Sequence, residues 1–407
     1  MTILMAADST TRPVRVLWLM GSDRAKADTV TLVRWLRLAD RSRLDMTVAF
    51  LGKPSGQAGP AAEFASANGS PQTIPAALCL AGAHVAHLPS PPPLSLFAGR
   101  PLQRLIEDRE IEVLVSVLLR ADVAAARVSR AAGRSWSWIV RASGVGRYRR
   151  TRLYGGDWLD RRIYRRADGF IAVSDAVRRD WADRLGRPGD DFQVIFNPAP
   201  ASPPADRLVP RDEIRRRLGL EPAAPLILSA GRLDREKGVE RLIDAAAELA
   251  GSGAAGDVRW VVLGDGPHRR RLTRRISRLG LVGRFFLPGH SDDIWSHLAA
   301  ADLFLLASHM EGCPNALLEA ASAGQAIVAT NVGAVGEILT TGLHALLVEP
   351  DAKPAAIATA VTRLLADRAL AKQLAAGARE QVAARFGPAI VAESHMAYFE
   401  RLAGVKR

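Results

Sequence analysis

Two carboxylates, Glu311 and Glu319, lie eight residues apart in the run Glu-Gly-Cys-Pro-Asn-Ala-Leu-Leu-Glu. Gly312 and Pro314 prevent this interval from forming one continuous helix, because proline is tolerated only in the first turn of a helix. The run therefore predicts a helix that begins near Pro314 or Asn315, with Glu311 on the preceding loop. Since helical side chains lean toward the N-terminus, Glu319, about one turn inside the helix, reaches back toward the same end.

This helix start could bind a ligand that carries both phosphate and hydroxyl groups. The first backbone N–H groups of a helix have no partner within the helix, and they attract phosphate. Two carboxylates beside them can accept hydrogen bonds from hydroxyl groups, so the arrangement suits a sugar nucleotide. The alternative is a loop glutamate and a solvated helix glutamate that share no ligand, and this run alone does not decide between them.

A second charged loop covers residues 231–238, with the sequence Gly-Arg-Leu-Asp-Arg-Glu-Lys-Gly. It directly follows an apolar, strand-like run, and ligands bind at the carboxyl ends of such strands. Arg232 and Lys237 can clamp a diphosphate from two sides, and cations there would stabilise the charge on a departing diphosphate. Gly231 and Gly238 permit a close backbone approach. An exposed charged loop without a ligand is the alternative.

Two glycine-containing turns follow later strand-like runs of the same half. Gly264 opens the turn Gly-Asp-Gly-Pro, which is as compatible with a plain tight turn as with a phosphate loop. The run Leu-Pro-Gly-His at 287–290 could offer backbone groups at Pro288 and Gly289 to a nucleotide base. Each turn is weak evidence on its own.

Strand-like and helix-like runs alternate along most of the chain, which is typical of an α/β fold with doubly wound parallel sheets. The alternation stops at 197–210, where a proline-rich segment rules out regular structure and indicates a linker. Two Rossmann-like domains that face each other across a deep cleft are therefore expected. The predicted boundaries are 1–200, 201–386 and, for a final helix that packs back toward the first domain, 387–407.

The composition excludes several classes of protein. With only Cys79 and Cys313, the 407-residue chain has no disulfide framework, so a reducing, cytoplasmic compartment is expected. The sequence contains no apolar stretch of about 18 residues, so no transmembrane helix is expected. The first residues do not have the pattern of a signal peptide. The histidines lack metal-ligand spacing and no Asp-x-Asp occurs, so neither a metal nor another cofactor is expected.

The net charge of +13 is concentrated in the first half of the chain. Residues 1–200 carry 29 basic and 19 acidic side chains, whereas residues 201–407 carry 26 and 23. The densest basic patch consists of Arg147, Arg149, Arg150, Arg152, Arg161, Arg162, Arg165 and Arg166. An anionic membrane surface or a lipid-linked diphosphate could bind this patch. The alternative explanation of its arginines is a general compositional bias toward arginine. Nucleic acid is disfavoured, because the patch lacks aromatic residues spaced for base stacking.

Taken in order, these segments resemble the retaining glycosyltransferases of family 4 (GT4), which have the GT-B fold. The resemblance is dense over residues 225–350 and looser over 159–197. The segments that carry it are 231–238, Gly264 to Pro267, Glu311 to Glu319 with the Ala-Ser-Ala-Gly that follows, and Gly333 to Glu337. Each segment alone is common, whereas the ordered set is specific.

The resemblance implies a site for a nucleoside diphosphate sugar and assigns roles to matching positions. Arg232 and Lys237 would hold the donor diphosphate and, with Glu311 at the sugar hydroxyls, form the reacting centre. Glu319 would accept hydrogen bonds from the ribose hydroxyls. The other implied donor-side positions are Gly21, Gly231, Gly264, Pro288, Gly289, Asn315, Ala316 and Leu317.

Two departures from the family pattern concern the first domain. Where the family often has a Gly-Gly-x-Glu-like segment, this chain has Gly-Ser-Asp-Arg at 21–24, which still allows Gly21 to approach the donor. The family's histidine near the end of the mid-domain strand is missing from Arg-Ala-Ser-Gly at 141–144. Arg141 and Ser143 are the candidates for the acceptor or sugar side, with a purely structural arginine as the alternative.

The sequence thus predicts a retaining, metal-independent glycosyltransferase, peripheral at the inner face of the cytoplasmic membrane, whose preferred acceptor is a lipid-linked or cell-envelope glycan. The alternatives are a soluble enzyme that glycosylates a small metabolite, a sugar-nucleotide epimerase of the same fold, and a non-catalytic sugar-nucleotide-binding partner in glycan assembly. No protein nucleophile is evident, so catalysis would depend on positioning and on the cations around the departing diphosphate.

Overall fold

The structure is a computed structural model, and it describes residues 12–23, 27–54, 73–89, 99–130, 133–144, 156–201, 203, 207–221, 223–252 and 257–406. Some residues named above lie outside these ranges: Arg24, residues 202 and 204–206 of the linker, and the basic residues Arg147, Arg149, Arg150 and Arg152. Within the described ranges, no helix is both long enough and apolar enough to cross a membrane.

Among the described residues, seven parallel strands form the sheet of the first domain: β1 (Val14–Met20), β2 (Leu44–Leu51), β3 (His84–Leu88), β4 (Val113–Val117), β5 (Ser137–Ala142), β6 (Gly169–Ala172) and β7 (Phe192–Val194). Their order in space is β3-β2-β1-β4-β5-β6-β7. The central strands β1, β4 and β5 are buried along almost their whole length. Such unbroken burial is typical of a parallel sheet that is covered by helices on both faces.

The helices of the first domain are α1 (Ala27–Leu36), α2 (Ile74–Leu80), α3 (Gly99–Asp108), α4 (Leu118–Val128), α5 (Gly156–Tyr164) and α6 (Asp175–Leu185). Helix α6 has the start that its sequence predicts, because the Ser174 hydroxyl accepts a hydrogen bond from the Val177 N–H at 3.2 Å. It ends at Gly186, which has a left-handed conformation with φ of 64°.

The second domain repeats this architecture, with six parallel strands in the part that the structure describes: β8 (Leu226–Ala230), β9 (Arg259–Leu263), β10 (Phe285–Gly289), β11 (Leu303–Leu306), β12 (Ile327–Thr330) and β13 (Leu346–Val348). Their order is β10-β9-β8-β11-β12-β13. Its helices are α7 (Arg211–Arg217), α8 (Val239–Ser252), α9 (Arg269–Arg278), α10 (Ile294–Ala300), α11 (Asn315–Ser322), α12 (Val335–Ile338), α13 (Pro354–Ala366) and α14 (Arg368–Phe386).

Both sheets reverse their strand order beside the first strand of the domain, between β1 and β4 in one and between β8 and β11 in the other. A crevice forms at the carboxyl ends of the strands at such a switch point, and ligands bind there. The predicted α/β class with two doubly wound sheets is therefore confirmed, and each sheet contributes one wall of the space between the domains.

The last helix, α15 (Pro388–Lys406), packs on the first domain although it follows the second in sequence. Its apolar residues Val391, Met396 and Phe399 are buried in the same core as Trp18 and Trp35. The Arg43 guanidinium pairs with the carboxylates of Glu393 and Glu400 on this helix, each at 2.7 Å. The chain therefore crosses back to the first domain at Gly387, between α14 and α15.

Burial of His395 on α15 makes the packing of this helix sensitive to acid. Its ring stacks on Trp35 with centroids 4.3 Å apart, and its Nδ1 donates a hydrogen bond to the Val391 carbonyl at 2.8 Å. Burial lowers the pKa of His395 to about 3, and the positive charge of Arg141 acts in the same direction.

Lowering the pH should therefore destabilise the protein through His395. Between pH 6.5 and 3 the unfolded chain binds a proton that the folded chain does not, which costs about 1.4 kcal/mol of stability per pH unit. Urea unfolding at pH 7 and pH 5 measures this effect. We expect the stability of the wild type to fall by about 2 kcal/mol more than that of His395→Phe. An equal fall in both proteins would contradict the assignment.

The alternation of strand-like and helix-like runs predicts most of these strands and helices, but it does not identify α2, β3, α3 or α7. Strand β3 lies at the edge of its sheet, most of its residues are partly exposed, and two of its five residues are histidines. It therefore lacks the buried apolar run that identifies the central strands in the sequence.

Candidate active site

A cleft of about 580 Å³ lies between the two domains. The loops that follow β8, β9 and β11 line it from the second domain, and α1 lines it from the first. The predicted site residues in its lining are Ser143, Gly231, Arg232, Lys237, Gly264, Glu311, Asn315, Ala316 and Glu319. Residues predicted from separate segments of the chain therefore share one cavity.

Five predicted site residues lie outside this lining: Gly21, Arg141, Pro288, Gly289 and Leu317. Leu317 is fully buried in the core, and its N–H donates to the Pro314 carbonyl at 3.1 Å. This amide is therefore engaged within the first turn of α11. The Gly21 carbonyl accepts a hydrogen bond from Arg120 at 3.2 Å, and the Gly289 carbonyl accepts one from the Gly264 N–H at 2.7 Å.

Lys237 and Glu311 form a close ion pair at the wall of the cleft. The Lys237 Nζ donates to both carboxylate oxygens of Glu311, at 2.7 and 2.8 Å. The Ser308 hydroxyl donates to Oε1 of the same carboxylate at 2.6 Å. Glu311 is buried, whereas the Lys237 side chain is 30% exposed. Glu311 is therefore held in one orientation, and the lysine ammonium is positioned beside the cleft before any ligand binds.

Arg232, the other predicted cation, is more loosely held. Its side chain is 69% exposed, and its Nε lies 3.7 Å from the Asp234 carboxylate. The same carboxylate accepts a hydrogen bond from the Lys237 N–H at 3.2 Å, which fixes the fold of the loop. Since the Arg232 guanidinium is solvated near the mouth of the cleft and is not tightly held, it can turn toward an anionic ligand.

Three glycines let the loops around the cleft approach each other closely. A Cβ atom at Gly333 would overlap the Glu311 carbonyl oxygen, and one at Gly264 would overlap the Gly231 carbonyl oxygen. At Gly238, a Cβ atom would overlap a backbone carbonyl after β11. All three have positive φ angles, which L side chains rarely adopt. Glycine is thus required where the charged loops are pressed against their neighbours.

Arg141 lies behind the wall of the cleft rather than in it. It is 6% exposed, and its Nη2 donates to Oδ1 of Asn197 at 2.7 Å. The Asn197 amide in turn donates to the Cys313 carbonyl and to Oδ1 of Asn315, each at 2.9 Å. Burial lowers the pKa of the Arg141 guanidinium. This network connects β5 of the first domain to the start of α11, and of the two candidates in this segment only Ser143 lines the cleft.

Cys313 is the one cysteine at the cleft among the described residues, and its environment makes it a poor nucleophile. It is buried, and burial raises the pKa of its thiol to about 12. Since the thiolate is the nucleophilic form, almost none is present near pH 7. Cys313 is thus unsuited to form a covalent intermediate.

An ion pair that the sequence did not suggest connects α1 with α11 across the cleft. The Arg34 Nη2 lies 2.7 Å from Oε1 of Glu319, and the two side chains are only 7% and 14% exposed. Both residues line the cleft, and they are 285 positions apart in the chain. The carboxylate that was expected to accept ribose hydroxyls is therefore oriented by an arginine of the opposite domain.

Glu337 forms a second polar connection between the domains. Its carboxylate accepts hydrogen bonds from the N–H groups of Asp175 and Ala176, at 2.8 and 2.7 Å. These amides open α6, where the helix dipole favours a negative charge. Helix α12 of the second domain is thus held against the start of α6 in the first.

Comparison with known families agrees with this two-domain layout. The family described as Glycosyltransferase Family 4 matches residues 56–202, and the family described as Glycosyl transferases group 1 matches residues 210–381. The chain belongs to the family 4 glycosyltransferases. The two matches meet at the predicted linker, so the sequence resemblance and the structural division coincide.

Relatives of this family member have several different activities. This chain is 31% identical over 253 residues to alpha-D-kanosaminyltransferase of Streptomyces kanamyceticus, and the match covers 61% of this chain and 63% of the relative. It is 29% identical over 269 residues to the lipopolysaccharide core biosynthesis glycosyltransferase LpsE of Rhizobium meliloti, covering 64% and 73%. The chain matches less than two thirds of the length of the first curated relatives.

A solved structure extends the likeness to nearly the whole chain. The Anabaena protein HepE, crystallised in complex with UDP-glucose, is 20% identical with a TM-score of 0.74, and the match covers 95% of this chain and 99% of HepE. This likeness shows the fold, and the expected GT-B architecture is confirmed.

Several residues that line the cleft or connect the domains of this family member were not assigned a site role from the sequence. Asn197 and Glu337 fell in family-like segments, which was the one signal that could have identified them. Asp28 and Arg34 lie on the cleft face of α1. On a helix of a doubly wound domain, charged residues at such positions look like an ordinary solvated face, because the sequence does not reveal which helix faces the second domain.

Proposed function

We propose that this chain transfers a sugar from a nucleoside diphosphate sugar to a hydroxyl-bearing acceptor, with retention of the anomeric configuration. The observation that carries the proposal is that the loop with Arg232 and Lys237 and the helix start with Glu311 and Glu319 line one cleft. Cations suited to a diphosphate and carboxylates suited to hydroxyls face the same space. The UDP-glucose bound to HepE supports a nucleotide sugar as the ligand.

Each charged group has a distinct task in this proposal. Lys237 and Arg232 neutralise the diphosphate as it departs, and the amides at the start of α11 add hydrogen bonds to the same phosphates. Glu311, fixed by Lys237 and Ser308, orients the hydroxyls of the transferred sugar. Glu319 accepts hydrogen bonds from the ribose.

The transfer step needs no nucleophile from the protein. The bond between the anomeric carbon and the diphosphate breaks as the acceptor oxygen forms its bond on the same face of the sugar. The acceptor proton passes to the departing phosphate oxygen. Because Glu311 is engaged by Lys237 and Ser308 and the Cys313 thiol stays protonated, catalysis depends on positioning and on charge stabilisation. Neither a metal nor another cofactor has a role in this proposal.

Removing the Glu319 carboxylate is expected to weaken donor binding. In Glu319→Ala the ribose hydroxyls lose a charged acceptor, which should raise the donor KM about tenfold or more. Initial rates over a range of donor concentrations measure the change, after a melting-temperature screen of nucleotide sugars has identified the donor. Glu248→Ala, an exposed position on α8, serves as the control. Unchanged donor KM in Glu319→Ala would argue against this role.

The acceptor in this proposal is a lipid-linked or cell-envelope glycan, which the relative LpsE supports. The relative 2-deoxystreptamine glucosyltransferase of Streptomyces kanamyceticus, 31% identical over 255 residues, supports the alternative of a small-molecule acceptor. A panel that includes lipid-linked glycans and small aminated sugars separates the two by product formation. Nucleotide binding without product on the whole panel would favour a non-catalytic binding partner, and interconversion of the donor without acceptor would indicate an epimerase.

The proposed acceptor side also suits an anionic membrane surface. On α5 and just after it, Arg161, Arg162 and Arg165 are exposed, and Trp158 is 66% exposed beneath the guanidinium of Arg162. Exposed arginines beside an exposed tryptophan match the chemistry of a membrane interface. We therefore place this face of the first domain against the inner leaflet.

Vesicle flotation tests this placement. The wild type should float with vesicles that contain anionic lipid at low salt and dissociate at high salt, because the contacts are screened. Replacing Arg161, Arg162 and Arg165 by glutamine should abolish flotation. The matched control replaces the exposed Arg270, Arg274 and Arg278 of α9, on the second domain, and should float normally. Wild-type protein that stays unbound at low salt would refute the membrane proposal.

A further inference from the structure

The ion pair between Arg34 and Glu319 brings the first domain into the donor side of the cleft. Arg34 lies on the cleft-facing side of α1 with Val30, and Glu319 lies on the cleft-facing side of α11 with Asn315. Their 2.7 Å contact is largely buried, with 7% and 14% of the side chains exposed. Solvent and salt screen such a pair much less than a surface pair. The orientation of the Glu319 carboxylate is therefore set from the opposite domain.

The position of Arg34 is fixed by the core of its own domain. Its neighbours Val33, Trp35 and Leu36 are buried, and the Trp35 ring stacks on His395 of α15 at 4.3 Å. Arg34 thus stands on a rigid helix rather than on a flexible loop. The contact between Arg34 and Glu319 therefore depends on how close together the two domains lie.

We propose that Arg34 is a positioning residue for ribose recognition. It holds the Glu319 carboxylate in the orientation that accepts the ribose hydroxyls, so ribose binding is strongest when the two domains are close together. This inference rests on the proposed function, because it takes Glu319 as the ribose acceptor. An ionised carboxylate has about four lone-pair sites, so its bond to Arg34 does not exhaust its capacity for hydrogen bonds.

Binding of ribo- and 2′-deoxyribonucleotides tests the inference directly. Calorimetry first identifies the tightest ligand among UDP, ADP and GDP, and then compares it with its 2′-deoxy form. The unchanged protein should prefer the ribonucleotide by about tenfold or more, the loss expected when a hydrogen bond to a charged group is removed. In Arg34→Met the affinity for the ribonucleotide should fall about tenfold, and the preference over the deoxy form should shrink to less than about threefold.

Two further variants separate positioning from a structural effect. Arg34→Lys keeps the charge and should restore part of the ribose preference, and it also serves as the test protein if Arg34→Met does not fold. The double variant Arg34→Met with Glu319→Gln should bind no more weakly than Glu319→Gln alone, because both changes remove the same interaction. Arg37→Met, at an exposed position just past the end of α1, is the matched control.

The outcomes distinguish this inference from the function on which it rests. If no nucleoside diphosphate binds the unchanged protein, the proposed function and the role of Arg34 both fall. If the unchanged protein binds with a clear ribose preference that Arg34→Met retains, the role of Arg34 alone is refuted. Strictly additive losses in the double variant would also refute it.

Discussion

Turnover at saturating donor should fall about 10²–10³-fold when Lys237 is replaced by alanine, the loss expected when one preorganised group is removed from developing negative charge. Lys237 is a strong candidate for this effect because its ammonium is held beside the cleft by the Glu311 carboxylate at 2.7 and 2.8 Å. The proposed leaving group is a diphosphate, on which charge accumulates as the sugar departs. Single-turnover rates with excess enzyme measure the chemical step.

Controls for the Lys237 substitution separate catalysis from folding. Lys237→Ala leaves the Glu311 carboxylate buried without its cation, which also destabilises the protein. Combining it with Glu311→Gln removes that unpaired charge, so the melting temperature should recover while turnover stays low. Arg235→Ala changes an exposed cation of the same loop and should leave turnover within about twofold of the wild type. Turnover that is unchanged in Lys237→Ala would refute the proposed role of this loop.

Replacing Gly333 by alanine should have the largest effect on stability. Gly333 has a φ of 55°, and a Cβ atom there would overlap the Glu311 carbonyl oxygen. The collision with a backbone atom and the left-handed conformation together should cost about 2–5 kcal/mol. Relief of the collision would also move the Glu311 backbone, so the folded fraction of Gly333→Ala should lose most of its activity.

Gly342→Ala is the matched control for the effect of backbone conformation alone. Gly342 also has a positive φ, 78°, but a Cβ atom there would meet nothing within 4 Å. Only the conformational cost remains, about 1–2 kcal/mol, and activity should stay normal. Thermal unfolding of the two variants measures the difference, and equal losses of stability would show that contact with the Glu311 loop is unimportant.

The second-domain loops that line the cleft could largely be predicted from the sequence. Loops after parallel strands open at one edge of the sheet, so charged loops that follow β8 and β11 had to lie near each other. The proline at 314 fixed the start of α11, as the structure confirms, and thereby the places of Glu311 and Glu319 relative to that start. For Leu317, the same argument overlooked that the amide would be used within the first turn, by the Pro314 carbonyl.

The first-domain half of the site could not be predicted in the same way. Arg141 was a candidate for the sugar side, and the structure places it behind the cleft wall, hydrogen-bonded to Asn197. In a half-buried strand, apolar and polar residues alternate, and this alternation shows which residues face solvent. Strand β5 is buried along its whole length, so its sequence does not show on which face Arg141 lies. No feature of the sequence indicated a role for Arg34, because one charged residue on a helix does not reveal which residue it will contact.

The amino-acid sequence predicts the two doubly wound domains, the linker between them and the loops that carry Arg232, Lys237, Glu311 and Glu319. These features follow from local periodicity, from proline and glycine, and from the geometry of parallel sheets. The way in which the domains meet became visible in the folded protein alone. The pairing of Arg34 with Glu319 joins residues 285 positions apart, and that of Glu337 with the start of α6 joins residues 162 apart. Such contacts depend on the relative orientation of two separately folded cores, which no local pattern of residues encodes.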